Sequence, residues 1–278
     1  MLTNEELLVL IGNIESDRIE RTLSVKNFDM QPCRESSLND LDINLFKNTY
    51  QPKAIDKESI AANNRDLKQQ LASLRIYDNV YDCPTNAGIL LFGTNPLYFF
   101  PGAYIQYLRY KGKDISPEPV DKRFSGALVD VLKDIDNFFK IIVIQSKSVR
   151  SSGMRESVVE NFPLWAMREL VMNAIMHRDY QSNAPIYLYE FDDRIEIINP
   201  GGLYGDVRPE NFPNASDYRN PVLAEAMKVL GYVNKYNFGI RYAQQLLIEN
   251  GNGSAEFNIS LMTKFSVKIP MSERWQEQ

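Results

Sequence analysis

Residues 161–180 read NFPLWAMRELVMNAIMHRDY, and this stretch decides the fold of the second half of the chain. Its apolar residues recur at spacings of three and four, which predicts a helix with one face in the core. Pro163 suits the first turn of that helix, because the N–H that proline lacks has no partner there in any case. The predicted core face consists of Leu164, Met167, Val171, Ala174 and Ile175.

A second stripe on the same helix is polar. Glu169, Asn173 and His177 follow one another at four-residue spacing, so the three side chains line up along one face. Their neighbours are Trp and Met rather than the Lys, Glu and Gln of a solvated face. Because a buried polar group without a partner costs about 1–3 kcal/mol, the stripe needs either a polar ligand or neighbouring backbone groups. The helix alone leaves both interpretations open.

Two later segments contain glycines where a ligand could approach the main chain. NPGG at 199–202 directly follows a predicted strand, and paired glycines permit positive φ and close contact with the backbone. NFGI at 237–240 opens a predicted helix, whose free N–H groups form a natural phosphate cradle. An ordinary turn explains the first segment and an ordinary helix start explains the second, so each signal is weak alone.

The elements after residue 160 predict a two-layer α/β sandwich, because helices alternate with antiparallel hairpins. Strands are predicted at 185–191 and 194–200, helices at 221–232 and 240–251, and a closing hairpin at 255–270.

The first half predicts a small α+β, winged-helix-like region. Helical spacing covers 38–50 and 56–75, and the apolar run AGILLFG at 87–93 is predicted to be a buried strand. A second strand is predicted at 103–110 and a helix at 126–145. The whole chain is therefore assigned to the α/β (α+β) class.

The stretch SKSVRSSGMRES at 146–157 is rich in serine and has few apolar anchors, which predicts a linker. A boundary placed there divides the chain into segments 1–28, 29–150 and 151–278.

Composition narrows the classes of function. The net charge of −5 gives no broad cationic surface for non-specific DNA binding, so any nucleic-acid contact would be local. Cys33 and Cys83 match no metal-ligand spacing and fit a reducing compartment. The N-terminus is acidic where a signal peptide needs basic residues, and no apolar run reaches the roughly 20 residues of a membrane span. We therefore expect a cytoplasmic protein without a membrane partner.

Four segments, in this order, resemble the sequence boxes of GHKL-type ATPases. ELVMNAIMH (169–177) resembles the N box, and IINPGGL (197–203) resembles the first glycine box. NFGIRYAQQLLIENGN (237–252) resembles the second glycine box, and MTKFSVKIP (262–270) the last. The resemblance implies a fold of the Bergerat type that binds ATP and Mg²⁺ between the N-box helix and the glycine loops.

A narrower resemblance is to RecG-like transcriptional regulators, which join an Alba-like (Schlafen-type) DNA-binding domain to this ATPase-like domain. It is carried by PTNAGILLFG (84–93), DRIEIINPGGL (193–203) and DYRNPVLAEAMKVLGYVN (217–234), and it spans roughly residues 29–270. Segment 1–28 then resembles a remnant of the Alba-like domain, most of which is missing.

The resemblance implies a role for each residue of the polar stripe. Asn173 would be a ligand of the Mg²⁺ that bridges the ATP phosphates, since an amide oxygen suits that hard cation. Glu169 would orient or deprotonate the attacking water if hydrolysis occurs. His177 would support the phosphate side, with a satisfied core histidine as the alternative.

Further positions would contact the nucleotide. Asn199 stands where the family has an adenine-recognising Asp, and its oxygen can still accept from the adenine amino group through a weaker, uncharged bond. Gly201 and Gly202 would line the adenine pocket, and Gly239 the phosphate end. Basic residues that could pair with phosphates, with ordinary solvation as the alternative, are Arg208, Arg219 and Lys235.

Three functions stay open from the sequence. The first is an ATP-binding regulatory module of a transcriptional regulator, and the second is an active ATPase with Glu169 as general base. The third is a degenerate scaffold that binds no nucleotide and acts through protein contacts or DNA. The expected partners are ATP with Mg²⁺, DNA and a second copy of the chain.

Overall fold

The computed structural model describes residues 27–62, 65–152, 155–215, 217–233 and 239–276. The strands in chain order are β1 Tyr77–Asp78, β2 Cys83–Pro84, β3 Ile105–Arg109, β4 Val120–Phe124, β5 Ser146–Ser152, β6 Arg155–Glu160, β7 Ile186–Glu190, β8 Arg194–Pro200, β9 Glu256–Leu261 and β10 Lys264–Pro270. The α-helices are α1 Ile43–Leu45, α2 Gln51–Ala54, α3 Lys57–Ala61, α4 Leu67–Ser73, α5 Asn86–Phe92, α6 Pro96–Phe99, α7 Leu128–Phe138, α8 Leu164–His177, α9 Pro221–Val229, α10 Gly239–Asn250 and α11 Glu273–Gln276. Phe46–Tyr50 and Phe139–Val143 are π-helical continuations of α1 and α7.

A six-stranded mixed sheet, in the order β4-β3-β7-β8-β10-β9, forms the centre of the molecule. Only the pair of β3 with β7 is parallel among its described pairings, with Ile105 opposite Ile186. The remaining pairs are antiparallel, and Asn199 on β8 lies opposite Phe265 on β10. The prediction of a mixed α+β fold with an α/β sandwich in the C-terminal half is confirmed.

Helix α8 lies at the centre of the helical layer. It packs against β8, α9 and α10, so that its apolar positions are buried on more than one side. Met167 and Val171 of the predicted core face are buried, and so are Met172 and Met176 beside the polar stripe. The stripe therefore lies in a largely enclosed part of the fold, as the Trp and Met neighbours indicated.

The predicted strand at 87–93 is wrong, because this segment forms helix α5. The Thr85 hydroxyl accepts from the backbone N–H of Gly88 at 3.1 Å and caps the helix. All residues of α5 are buried, so the sequence shows neither a two-residue nor a helical alternation. Strand β3 consequently pairs with β4 and β7 rather than with this segment.

The predicted linker at 146–157 is also wrong, because β5 and β6 form an antiparallel hairpin there, with Ser146 opposite Glu160. Asn161 holds the open end of this hairpin. Its side-chain oxygen accepts from Gln145 N at 2.8 Å, and its nitrogen donates to Val143 O at 2.8 Å. Backbone pairing thus orders a stretch whose side chains give few apolar anchors.

The domain division at 150 stays a prediction, but one sheet crosses it. Strands β3 and β4 precede that point and join β7, which follows it. Most of segment 1–28, which was predicted to be a remnant of an Alba-like domain, lies outside the described residues. None of the helices in the described part of the chain is long and apolar enough to cross a membrane.

Asp29 fixes the start of the described chain to helix α9. The side chain is fully buried, and its Oδ2 accepts from the N–H groups of Val222 at 2.7 Å and Leu223 at 3.1 Å. Burial raises the pKa of this carboxyl from 3.8 to about 6, against the opposing effect of the two backbone hydrogen bonds. No described residue donates to Oδ1, which adds to the cost of the charged form.

We expect Asp29→Asn to change the pH dependence of stability. A carboxyl whose pKa is raised on folding contributes stability below pH 4, and this contribution is lost as the pH rises through about 6. The asparagine variant has no such loss, so the variant should gain about 2–3 kcal/mol relative to wild type between pH 4 and 7. Urea unfolding of both proteins across this range measures the difference. A difference that does not vary with pH would contradict the raised pKa of Asp29.

Candidate functional site

A cavity of about 140 Å³ lies between α8, the sheet and the loop that joins β8 to α9. Ile197 on β8 and Val267 on β10 form part of its floor, and Leu170 and Ala174 on α8 form part of one wall. The loop after β8 closes the opposite side. The site is therefore a largely apolar pocket with a small number of polar groups, which is typical of small-molecule binding sites.

All three residues of the predicted polar stripe line this cavity. The Asn173 side-chain nitrogen donates to Glu169 Oε1 at 2.9 Å and to the Glu169 carbonyl at 2.7 Å. Burial raises the pKa of the Glu169 carboxyl, and the hydrogen bond from Asn173 opposes that shift. Since the amide nitrogen is committed to Glu169, the amide oxygen is the atom with which Asn173 can bind a ligand.

His177 lies two turns after Glu169 on α8 and also faces the cavity. Its ring stacks on Tyr218, with the ring centroids 5.9 Å apart and the planes 9° apart. The pKa of His177 is lowered to about 4, mainly by burial and to a smaller extent by the charge of Arg219. The charge of Asp217 opposes this shift. The imidazole is therefore neutral at pH 7, and His177 offers a flat ring and one hydrogen-bond donor rather than a positive charge.

Asn199 is the most unusual polar group of the cavity. It is 3% exposed, and among the described residues no group donates to its Oδ1. Because alternate residues of a strand share a face, Asn199 lies on the same side of β8 as Ile197, and both line the cavity. A buried carbonyl oxygen without a partner costs about 1–3 kcal/mol, so this atom indicates a missing donor.

At two of the predicted glycines an added Cβ would come too close to a neighbouring atom. A Cβ on Gly202 would lie 2.6 Å from the Met262 carbonyl oxygen, in the turn between β9 and β10. A Cβ on Gly239 would collide with the Glu169 carboxylate. Both glycines line the cavity, so their backbones come close to its contents.

Gly201 and Arg219 are not among the residues that line the cavity. Gly201 has φ +98° and donates its N–H to the Thr263 carbonyl at 2.9 Å, so it shapes the turn. Arg219 donates to the Gly202 carbonyl at 3.1 Å and lies over the Tyr204 ring, 4.6 Å from its centroid. Arg219 therefore contacts the glycine turn, and its contact with phosphates stays a prediction.

Of the other two basic candidates, the structure describes only Arg208, which is not among the residues that line the cavity. Arg208 donates to the carbonyls of Gly205 and Val207 in its own loop. Lys235 lies outside the described residues.

Several lining residues were missed by the sequence analysis. Phe212, Phe257 and Phe265 contact one another edge-on, with centroid distances of 5.2 Å for Phe212 to Phe257 and 5.8 Å for Phe212 to Phe265. Asp217 and Arg241 add two charges. Only the aromatic residues of the closing hairpin could have been found, from their alternation on predicted strands. The others lie in a loop or at a helix start, without a periodic signal.

The cavity has two chemically different ends. Glu169 and His177 are eight residues apart on α8, which corresponds to about 12 Å along the helix axis. The C-terminal end of α8 is tied to the end of β8, because Asp179 N donates to the Pro200 carbonyl at 2.9 Å, and Asn199 precedes Pro200. At the opposite end of the cavity, the Glu169 carboxylate lies next to Gly239. An elongated ligand would therefore meet a buried acceptor at one end and a helix start at the other.

Comparisons with known proteins agree with part of this description. Residues 183–269 match the family model described as "Putative ATP-dependent DNA helicase recG C-terminal", which supports a RecG-like, ATPase-type C-terminal domain. No curated protein matches the chain. The crystal structure of the DIP2311 protein from Corynebacterium diphtheriae is similar over 92% of this chain, with a TM-score of 0.67 and 19% sequence identity.

That similarity is one of fold alone, and this chain covers 49% of the DIP2311 protein, about half its length. The residues that match the family model include Asn199, Gly202 and Gly239 but not the polar stripe of α8. The family match over residues 183–269 therefore supports an ATPase-type domain in the C-terminal half of the chain.

Proposed function

We propose that the cavity binds ATP with Mg²⁺ and that the chain is an ATP-binding regulatory module of a transcriptional regulator. The observation that carries this proposal is the buried Asn199 Oδ1, which lacks a donor among the described residues of a pocket otherwise rich in apolar and aromatic groups. The family match at 183–269 supports the same class of ligand. DNA and a second copy of the chain are proposed as further partners.

The residues around Asn199, at one end of the cavity, suit an adenine base. The exocyclic amino group of adenine donates hydrogen bonds, and Asn199 Oδ1 is an acceptor to which no described residue donates. The aromatic side chains of Phe212 and Phe265 supply flat apolar surface for a planar base. Guanine carries a carbonyl oxygen where adenine carries the amino group, so the same acceptor disfavours GTP.

The residues at the other end of the cavity, Asn173 and Gly239, suit a cation and the phosphates. Among the described residues no group of three or more His, Cys, Asp or Glu side chains could hold a metal ion. A cation here would therefore rely on Asn173 Oδ1 together with phosphate oxygens and water, which is how Mg²⁺ is commonly held in nucleotide sites. When bound, Mg²⁺ neutralises part of the phosphate charge. Gly239, at the start of the 12-residue α10, leaves backbone N–H groups accessible to phosphate oxygens.

A shift of unfolding temperature tests the proposed function. At 100 times its Kd, a ligand that binds only the folded chain stabilises it by about 2.7 kcal/mol. We expect ATP with Mg²⁺ to raise the unfolding temperature and GTP with Mg²⁺ to raise it less. No shift with ATP at millimolar concentration would support the scaffold alternative instead.

An active ATPase is the second candidate, because Glu169 is favoured as a base by its environment. Burial raises the pKa of its carboxyl, which makes the carboxylate a stronger base than an exposed one, and Asn173 orients it through the 2.9 Å hydrogen bond. The carboxylate would take a proton from the water that attacks the terminal phosphate.

We expect Glu169→Gln to lower any ATP turnover by about 10²–10⁴-fold, the usual contribution of a general base, with the ATP affinity kept within a few-fold. Phosphate release under saturating ATP measures turnover, and calorimetry measures affinity. Equal turnover in wild type and Glu169→Gln would remove Glu169 from the reaction. A parallel loss of affinity and turnover would indicate that the variant disturbs the cavity rather than the chemistry.

A further inference from the structure

The charges that line the cavity are unequal. Among the described lining residues Glu169 and Asp217 are acidic, and Arg241 alone is basic. Burial keeps His177 neutral, as its lowered pKa indicates. An anionic ligand therefore meets two carboxylates and a single cation, so the position of that cation decides whether a negative group can be accommodated.

Arg241 lies at the end of the cavity that is opposite Asn199. It belongs to the first turn of α10, two residues after Gly239, and Gly239 contacts the Glu169 carboxylate. Arg241 therefore lies beside the start of α10, where its exposed side chain lines the cavity. Asn199, whose buried Oδ1 receives no hydrogen bond from the described residues, is an independent indication that the same cavity takes a ligand.

The guanidinium of Arg241 has a neutral partner. It donates to Asn214 Oδ1, across from α10 on the loop that joins β8 to α9. The described residues give it no carboxylate within ion-pair distance. A phosphate carries a negative charge that the Asn214 amide lacks and can accept two parallel guanidinium N–H groups, so a phosphate would displace Asn214 as the partner.

We propose that Arg241 is the residue that selects phosphorylated ligands, by exchanging its contact with Asn214 for a contact with the phosphate chain. This inference rests on the proposed function, because it assumes that a nucleotide lies in the cavity. It assigns recognition of the base and of the phosphates to separate residues, Asn199 and Arg241. It also makes the loop that carries Asn214 the part of the chain that responds to the phosphates.

The test measures affinities of wild type, Arg241→Met and Arg241→Lys for ATP, ADP, AMP and adenosine, all with Mg²⁺. We expect Arg241→Met to weaken ATP binding by about tenfold or more, as the loss of a charged hydrogen bond implies, and to leave adenosine binding unchanged. Arg241→Lys should recover part of the ATP affinity. Arg123→Met is the matched control, because it removes an exposed arginine on β4 that does not line the cavity. This variant should change the affinity for neither ATP nor adenosine.

Two results would overturn the assignment of Arg241. One is an equal loss of affinity for adenosine and ATP in Arg241→Met, which would indicate a structural effect. The other is an unchanged affinity for ATP. If wild type binds neither adenosine nor ATP, the proposed function itself fails, and this outcome is distinct because it does not depend on the variant.

Discussion

Asn199→Leu is expected to stabilise the ligand-free chain and to weaken ATP binding at the same time. The buried Oδ1 of Asn199 has no donor among the described residues, so replacing the amide by an apolar side chain of similar size removes an unfavourable group. The gain in the free energy of unfolding should be about 1–2 kcal/mol. The same replacement leaves the adenine amino group without an acceptor, which should weaken binding about 10- to 100-fold.

A second buried asparagine is the matched control for this prediction. Asn161 is also 3% exposed, but its amide makes hydrogen bonds with Val143 O, Gln145 N and Phe162 N. Asn161→Leu should therefore destabilise the chain, opposite in sign to Asn199→Leu. Chemical unfolding measures both. Destabilisation of similar size in the two variants would show that the Asn199 amide is satisfied in the free protein.

Arg178→Met is expected to lower the free energy of unfolding by about 4 kcal/mol or more, because it removes a buried charged donor from several acceptors at once. The side chain is 1% exposed, and its guanidinium donates to four backbone carbonyls. The distances are 2.6 Å to Gly102, 2.7 Å to Ala184, 2.9 Å to Ser182 and 3.1 Å to Asp179. Each carbonyl would lose its bond to a charged donor, worth about 1.5–3 kcal/mol when made.

Arg178→Lys should rescue little of this loss, because a single ammonium group cannot reproduce the planar, branched geometry of the guanidinium. Arg123→Met, at an exposed position where the guanidinium lies over the Tyr104 ring, should change stability by no more than about 1 kcal/mol. Urea unfolding of the three variants provides the comparison. A loss below about 1 kcal/mol in Arg178→Met would mean that water or neighbouring groups replace the guanidinium.

The placement of the polar stripe, which sequence and structure give alike, rests on local rules. The four-residue spacing of Glu169, Asn173 and His177 puts them on one helix face, and all three line the cavity. Gly202 and Gly239 were expected to leave room for close approach; a Cβ would meet backbone atoms at Gly202, and at Gly239 it would require the Glu169 carboxylate to shift. The spacing of residues along a helix and the lack of a Cβ in glycine are set locally and do not depend on the packing of the rest of the chain.

The parts that the sequence did not predict depend on distant contacts. Asp29 accepts a hydrogen bond from Val222 N at the start of α9, 193 residues later in the chain. No local sequence pattern predicts this contact. The run at 87–93 has no periodicity because it is buried on every side, so only the capping contact of Thr85 distinguishes helix from strand. The contact of Arg219 with Gly202 likewise depends on tertiary packing that no local pattern predicts.

Titration of the full chain with ATP in the presence of Mg²⁺, followed by calorimetry and repeated with Asn199→Leu, tests the central claim most directly. We expect one ATP per chain, with an affinity that falls about 10- to 100-fold in the variant while the variant's free energy of unfolding rises. Absence of binding by wild type at millimolar ATP, or equal affinity in the two proteins, would contradict the claim that this cavity recognises adenine through Asn199.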